Sequence, residues 1–159
     1  MKFKNWMAGL FAFVFIFIGS SAQAQFLDRK AMTLAEAKKA VAAGVEEAKK
    51  NGWSVVVVVV DDAGAVLSLE RMDNAQRPSV EIAIGKAKTA ALFRRPSGVL
   101  EEAIAKGRTA LLSASGYVFM QGGVPIVING ETIGAVGVSG VQSFQDEQVA
   151  KAGVAVVGK

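Results

Sequence analysis

The 159-residue chain reads as an α/β protein of the α+β kind: one antiparallel sheet made from two hairpins, with helices packed on it. Two observations predict this. Apolar, β-branched runs occur as two pairs, each pair divided by turn residues (Asp61-Asp62-Ala63-Gly64 and Asn129-Gly130). Segments with the apolar spacing of a helix lie before, between and after those pairs. The resulting order is α-β-β-α-α-β-β-α.

The first helix is expected from about Leu34 to Lys50. Thr33-Leu34-Ala35-Glu36 has the form of a capping box, Leu34, Ala37, Val41, Val45 and Ala48 fall on one face, and Asn51-Gly52 is a suitable stop. Val55 to Val60 is six consecutive valines, which favour extended backbone and imply burial on both faces, so this is a central strand. Ala65 to Arg71 returns beside it. Ile82, Ala83, Lys86, Ala87, Ala90 and Phe93 then fit a helix starting near Pro78 or Ser79. Pro96 ends that stretch, because proline restricts the residue before it. A further helix is expected over about Gly98–Lys106, residues 107–117 carry no decisive pattern, and a last helix is expected over about Asp146–Val156.

The second hairpin is the most informative segment. Asn129-Gly130 between apolar runs is a strong hairpin signal, because a two-residue type I′ turn needs positive φ at both central positions. Its second strand carries Gly134, Gly137 and Gly140 where side chains would normally pack. Such glycines point to a bulge, or to close approach by another backbone or a ligand.

The N-terminus has the form of an export signal: basic Lys2 and Lys4, an apolar Met7–Ile18 core, and Ala22-Gln23-Ala24 as a small-x-small cleavage site. The apolar run is shorter than the roughly 20 residues of a spanning helix, so no stable membrane anchor is expected after cleavage. The expected domain is residues 25–159, 135 residues (159 less 24), periplasmic or secreted. Loss of Lys2 and Lys4 lowers the formal charge from +4 to +2, and no Lys/Arg run of the kind that binds nucleic acid is present.

Cysteine and histidine counts are both zero. Disulfides, zinc sites built on Cys or His, Ser-His-Asp and Cys-His catalysis, and imidazole ligation of haem are therefore excluded.

The ordered set of short motifs resembles the GlcG/HbpS-like family, often labelled haem-degrading or haem-binding and related to the C-terminal domain of PduO. The matching pieces are Val59-Val60-Asp61 before Gly64, Arg71-Met72-Asp73, Ser79 with Glu81-Ile82-Ala83, Lys86-Ala87, the Gly122–Gly140 hairpin, and Asp146-Glu147 with Val149-Ala150 and Gly153. They span about Met32 to the C-terminus. The resemblance implies a profilin-like fold, assembly into a homo-oligomer, and haem or another tetrapyrrole as ligand. The chain departs from histidine-ligated members in having none, so haem, if bound, is expected to be held weakly or displaced easily.

Candidate ligand-binding residues lie at the two strand–helix junctions: Arg71, Met72 and Asp73 after the first hairpin, Glu81 and Lys86 on the alanine-rich helix, and Tyr117, Met120, Gly122 and Gly123 before the second hairpin. Met72, Met120 and Tyr117 have haem-ligating chemistry, and Arg71 or Lys86 could pair with a propionate. Each has a plainer alternative. Arg71 and Asp73 could simply fix their junction, Lys86 could snorkel at an interface, and the methionines could fill core gaps. Arg94 and Arg95 complement a helix C-terminus, and Asp61-Asp62 form a turn. No residue is assigned as catalytic, and no metal ligand is identified. The expected function is an exported small-molecule-binding protein. The other readings are an oligomeric accessory or scaffold protein, and an enzyme acting on a small organic acid or haem. The small-residue helix face of Ser79–Phe93 or the glycine-rich strand Ile133–Gly140 is expected at a subunit contact.

Overall fold

The computed structural model describes residues 29–159, so the expected export segment lies outside the described residues. The elements follow the expected order. They are α1 (Leu34–Lys50), β1 (Val56–Asp61), β2 (Val66–Arg71), α2 (Ser79–Phe93), α3 (Ser97–Ala105), a 3-10 turn (Thr109–Ser113), β3 (Gly123–Ile128), β4 (Glu131–Ser139) and α4 (Ser143–Val154). The sheet is antiparallel with strand order β2-β1-β4-β3, so the two hairpins join through β1 and β4.

The valine run behaves as a strand covered on both sides. Val55, Val57 and Val59 enter the layer formed with α1 and α4, while Val56, Val58 and Val60 enter the layer under α2. Alternation of successive side chains across the sheet sends them to opposite faces. All six are fully buried, and each contributes roughly 2 kcal/mol of transfer free energy. Asp61 Oδ1 closes the first turn by accepting from the Ala63 and Ala65 N–H groups at 2.9 and 2.8 Å. The second turn has φ 54° at Asn129 and 81° at Gly130, the positive pair that the Asn-Gly dipeptide predicts.

Two local expectations change. Thr33 Oγ1 accepts from the Glu36 N–H at 3.2 Å, but Glu36 does not close the capping box. Its carboxylate accepts from the Gly158 N–H at 3.0 Å and pairs with Lys39 at 2.9 Å. It thereby ties the C-terminal end of the chain to α1 and lies below the usual carboxylate range. The last helix starts three residues earlier than expected, with Gln142 and Gln145 capping each other's backbone N–H groups.

The inward small-residue surfaces are filled within one chain. Ala83, Ala87, Ala90 and Ala91 of α2 are buried against β1 and β4. Gly123 and Gly137 face each other across β3 and β4. A Cβ on Gly137 would overlap Ala83 O, and one on Gly123 would overlap Lys86 O. The glycines let the backbone of α2 lie directly on the sheet.

Candidate functional site

The β2–α2 and β3 junctions open at the same end of the sheet, because Arg71 pairs with Val56, Val56 with Ser139, and Gly123 with Gly137. They occupy opposite edges, however. Three strand spacings separate those edges, about 14 Å. Eight of the nine candidate residues therefore fall into three places rather than one, and Glu81 stands apart from all three.

The first place is buried. Lys86 Nζ donates to Asp146 Oδ2 at 2.8 Å, with the two side chains 1% and 2% exposed. Asp146 Oδ1 also accepts from the Val141 N–H at 3.2 Å. Burial pushes the Asp146 carboxyl above its ordinary value, while the Lys86 contact and the backbone N–H groups of Val141 and Gly140 pull it back. Gly122, at φ 126°, lies against Lys86 Nζ and Asp146 Cβ, and only a residue without Cβ fits there. In this chain the Lys86 ammonium is committed to Asp146 rather than presented to a ligand, and Gly122 and Gly123 serve packing.

The second place is an open groove of about 430 Å³ between α3 and the segment before β3. Glu101, Ile104, Leu112, Tyr117, Val118, Phe119 and Met120 line it. Tyr117 and Met120 thus share one wall. Phe93 meets Tyr117 and Phe119 edge-on, with centroids 5.0 and 5.8 Å apart, an arrangement that aromatic quadrupoles favour. Lys88 Nζ stands 5.7 Å from the Tyr117 ring centroid. Met120 and Leu112 are exposed, so the groove presents a thioether and apolar carbon to solvent beside a phenol.

The third place is a shallow, polar cleft at the edge of β2 formed by Arg71, Met72, Asp73 and Asn74. Arg71 Nη2 donates to Ala75 O at 3.1 Å, which fixes the loop into α2. Met72 packs against the α1/α4 layer of the core. Glu81 is exposed on the first turn of α2 and lines none of these three places. A larger cleft, about 550 Å³, lies at the other end of the sheet among Arg29, Asp62, Arg94, Glu131 and Thr132. Arg94 caps α2 in the left-handed region at φ 53°, and Arg95 Nε donates to Phe93 O at 3.2 Å. Among the described residues no cluster of three or more carboxylates, histidines or cysteines is arranged to hold a metal ion, and no helix is long and apolar enough to cross a membrane.

Several residues that shape these places give no local signal. Asp146 is 60 positions from its partner Lys86. Thr89, Ser97, Glu101 and Lys88 read as ordinary helical residues, and only the folded chain shows them against the 117–123 segment. Ser97 and Thr89 are fully buried, which is unusual for hydroxyls without partners and here reflects their bonds to that segment.

A four-stranded antiparallel sheet with one helical layer on each face, and an apolar groove beside α3, define the class of protein. The family described as "Haem degrading protein HbpS-like" matches residues 32–155, and the chain belongs to that family. Protein GlcG of Escherichia coli strain K12 is 50% identical over 99 residues, 62% of this chain and 74% of GlcG. A double mutant of HbpS from Streptomyces reticuli is 37% identical, covering 84% of this chain and 92% of that one, with a TM-score of 0.79. PduOC in complex with haem is 28% identical, covering 81% and 96%, with a TM-score of 0.73.

Proposed function

We propose that the protein is exported, matures at Gln25, and binds haem or another tetrapyrrole. The observation that carries this reading is the groove between α3 and the 117–120 segment, an apolar surface with one phenol and one thioether on its wall. A tetrapyrrole is a flat apolar disc with anionic propionates at its edge, and pockets for such ligands are mostly apolar with a few placed polar groups. Membership in the HbpS-like family and the fold shared with the PduOC–haem complex support the choice of haem. The donor set fits the group in kind, since Tyr and Met both ligate haem iron in proteins.

Tyr117 or Met120 would hold the haem iron. Lys88, beside the Tyr117 ring, is better placed to meet a propionate than Lys86, which is buried against Asp146. Bound haem would supply a redox-active iron. An enzyme built on Arg71, Glu81 and Lys86 has little support, because those three residues do not meet and Lys86 has no free ammonium.

Haemin titration of Tyr117→Phe and Met120→Leu tests the site. One of the two replacements should move the Soret maximum and weaken binding. Two spectra and affinities identical to wild type would rule out this groove.

A further inference from the structure

The groove wall is a segment without regular secondary structure, yet its backbone is held by side chains from two different helices. Thr89 Oγ1 on α2 accepts from the Val118 N–H at 3.0 Å while donating to Gly85 O at 2.8 Å. Ser97 Oγ, at the first position of α3, donates to Met120 O at 2.6 Å and accepts from the Gly123 N–H at 2.8 Å. Glu101 Oε2, one turn further along α3, accepts from the Gln121 N–H at 2.7 Å. Three of the six N–H groups between Val118 and Gly123, and the carbonyl of Met120 itself, are thus satisfied by side chains rather than by a strand or helix.

Buried hydroxyls and a carboxylate used in this way are costly to leave unpaired and so fix a single backbone path. Both donors suited to haem, Tyr117 and Met120, ride on that path. Gly85 completes the seating: Val118 packs where its side chain would be, and any Cβ there would overlap Val118.

We propose that Thr89, Ser97 and Glu101 are positioning residues for the ligand groove, holding the 117–123 segment in its binding conformation without touching the ligand iron. This inference rests on the haem reading given above. Preorganisation of this kind acts through the fraction of molecules in the competent conformation, because apparent affinity falls in proportion to that fraction.

The test uses the mature protein with haemin as probe, together with amide hydrogen exchange of Val118, Gln121 and Gly123 in the absence of haemin. Ser97→Ala should weaken haemin binding about tenfold and broaden the Soret band, as two or more ligand geometries become populated. It should also speed exchange at Gly123. Glu101→Ala should do the same at Gln121, and Glu101→Gln, which keeps an acceptor for that N–H, should recover most of the lost affinity. Should Ser97→Ala and Glu101→Ala bind haemin with the affinity and spectrum of wild type, the positioning role is overturned. Absence of any Soret change in wild type overturns the haem reading instead. Exchange at Gly123 and Gln121 that is unaffected by these two substitutions would remove the pinning itself, whatever the ligand.

Discussion

Lys86 Nζ and Asp146 Oδ2, 2.8 Å apart, join the helix on one face of the sheet to the helix on the other. The bond passes the end of β3 and β4 beside Gly122, where no Cβ stands in its way. Both groups are almost wholly removed from water, so the pair stands on its geometry and on the extra bond from the Val141 N–H. Removing one partner leaves a buried charge, which costs far more than the intact pair contributes.

Asp146→Leu and Lys86→Met should therefore each lower unfolding free energy by about 3–5 kcal/mol. The double replacement Lys86→Met/Asp146→Leu should recover most of that loss, since apolar groups of similar size replace a buried pair at little cost. Urea unfolding of the four proteins checks this. Additive losses in the double variant would contradict it.

The pair also has a pH signature. Burial raises the folded-state carboxyl of Asp146 above its ordinary 3.8, so the folded chain holds that proton to higher pH than the unfolded chain does. This contribution is fully present below about 3.8 and is lost as pH rises through the folded value. The stability of wild type relative to Lys86→Met/Asp146→Leu should fall as pH rises above about 4. Denaturant midpoints across that rise measure it, and a difference that grows with pH has the wrong sign.

Two Gly→Ala changes in the second hairpin should separate two uses of glycine. At Gly137 a Cβ meets Ala83 O and the Ala87 backbone, which cannot move without lifting α2. The expected loss is roughly 3 kcal/mol or more. At Gly130 nothing lies within 4 Å, and only the positive φ of 81° opposes a side chain, so about 1–2 kcal/mol is expected. Thermal unfolding distinguishes them. Equal losses would mean that close approach of α2 is not what Gly137 provides.

The export proposal predicts a mature chain beginning at Gln25. Intact mass of protein recovered from outside the cytoplasm reads this directly. A species retaining Met1 in the membrane fraction would contradict it.

Much of the fold is legible in the sequence because its signals are local. The valine run, the positive-φ turn at Asn129-Gly130 and the helical spacing of Leu34–Lys50 and Ser79–Phe93 each depend only on near neighbours. Residues 107–117, which gave no pattern, hold only a short 3-10 turn. The site was harder to read because its determinants are long-range. Gly134, Gly137 and Gly140 announce close approach but not by what, and the answer at Gly137 is α2 of the same chain. Lys86 on a small-residue face looks like a ligand group until Asp146 is brought to it. Likewise, Arg71 and Tyr117 both sit at strand–helix junctions, yet strand order alone decides that they stand at opposite edges of the sheet.

Haemin titration of the wild-type mature protein decides the ligand. With Tyr117 and Met120 on an apolar groove wall, a saturable Soret band distinct from free haemin is expected. Competition by excess imidazole should shift it readily, because no histidine of the chain holds the iron. A spectrum that remains that of free haemin throughout the titration would contradict the reading, leaving the protein an HbpS-like fold without the haem site.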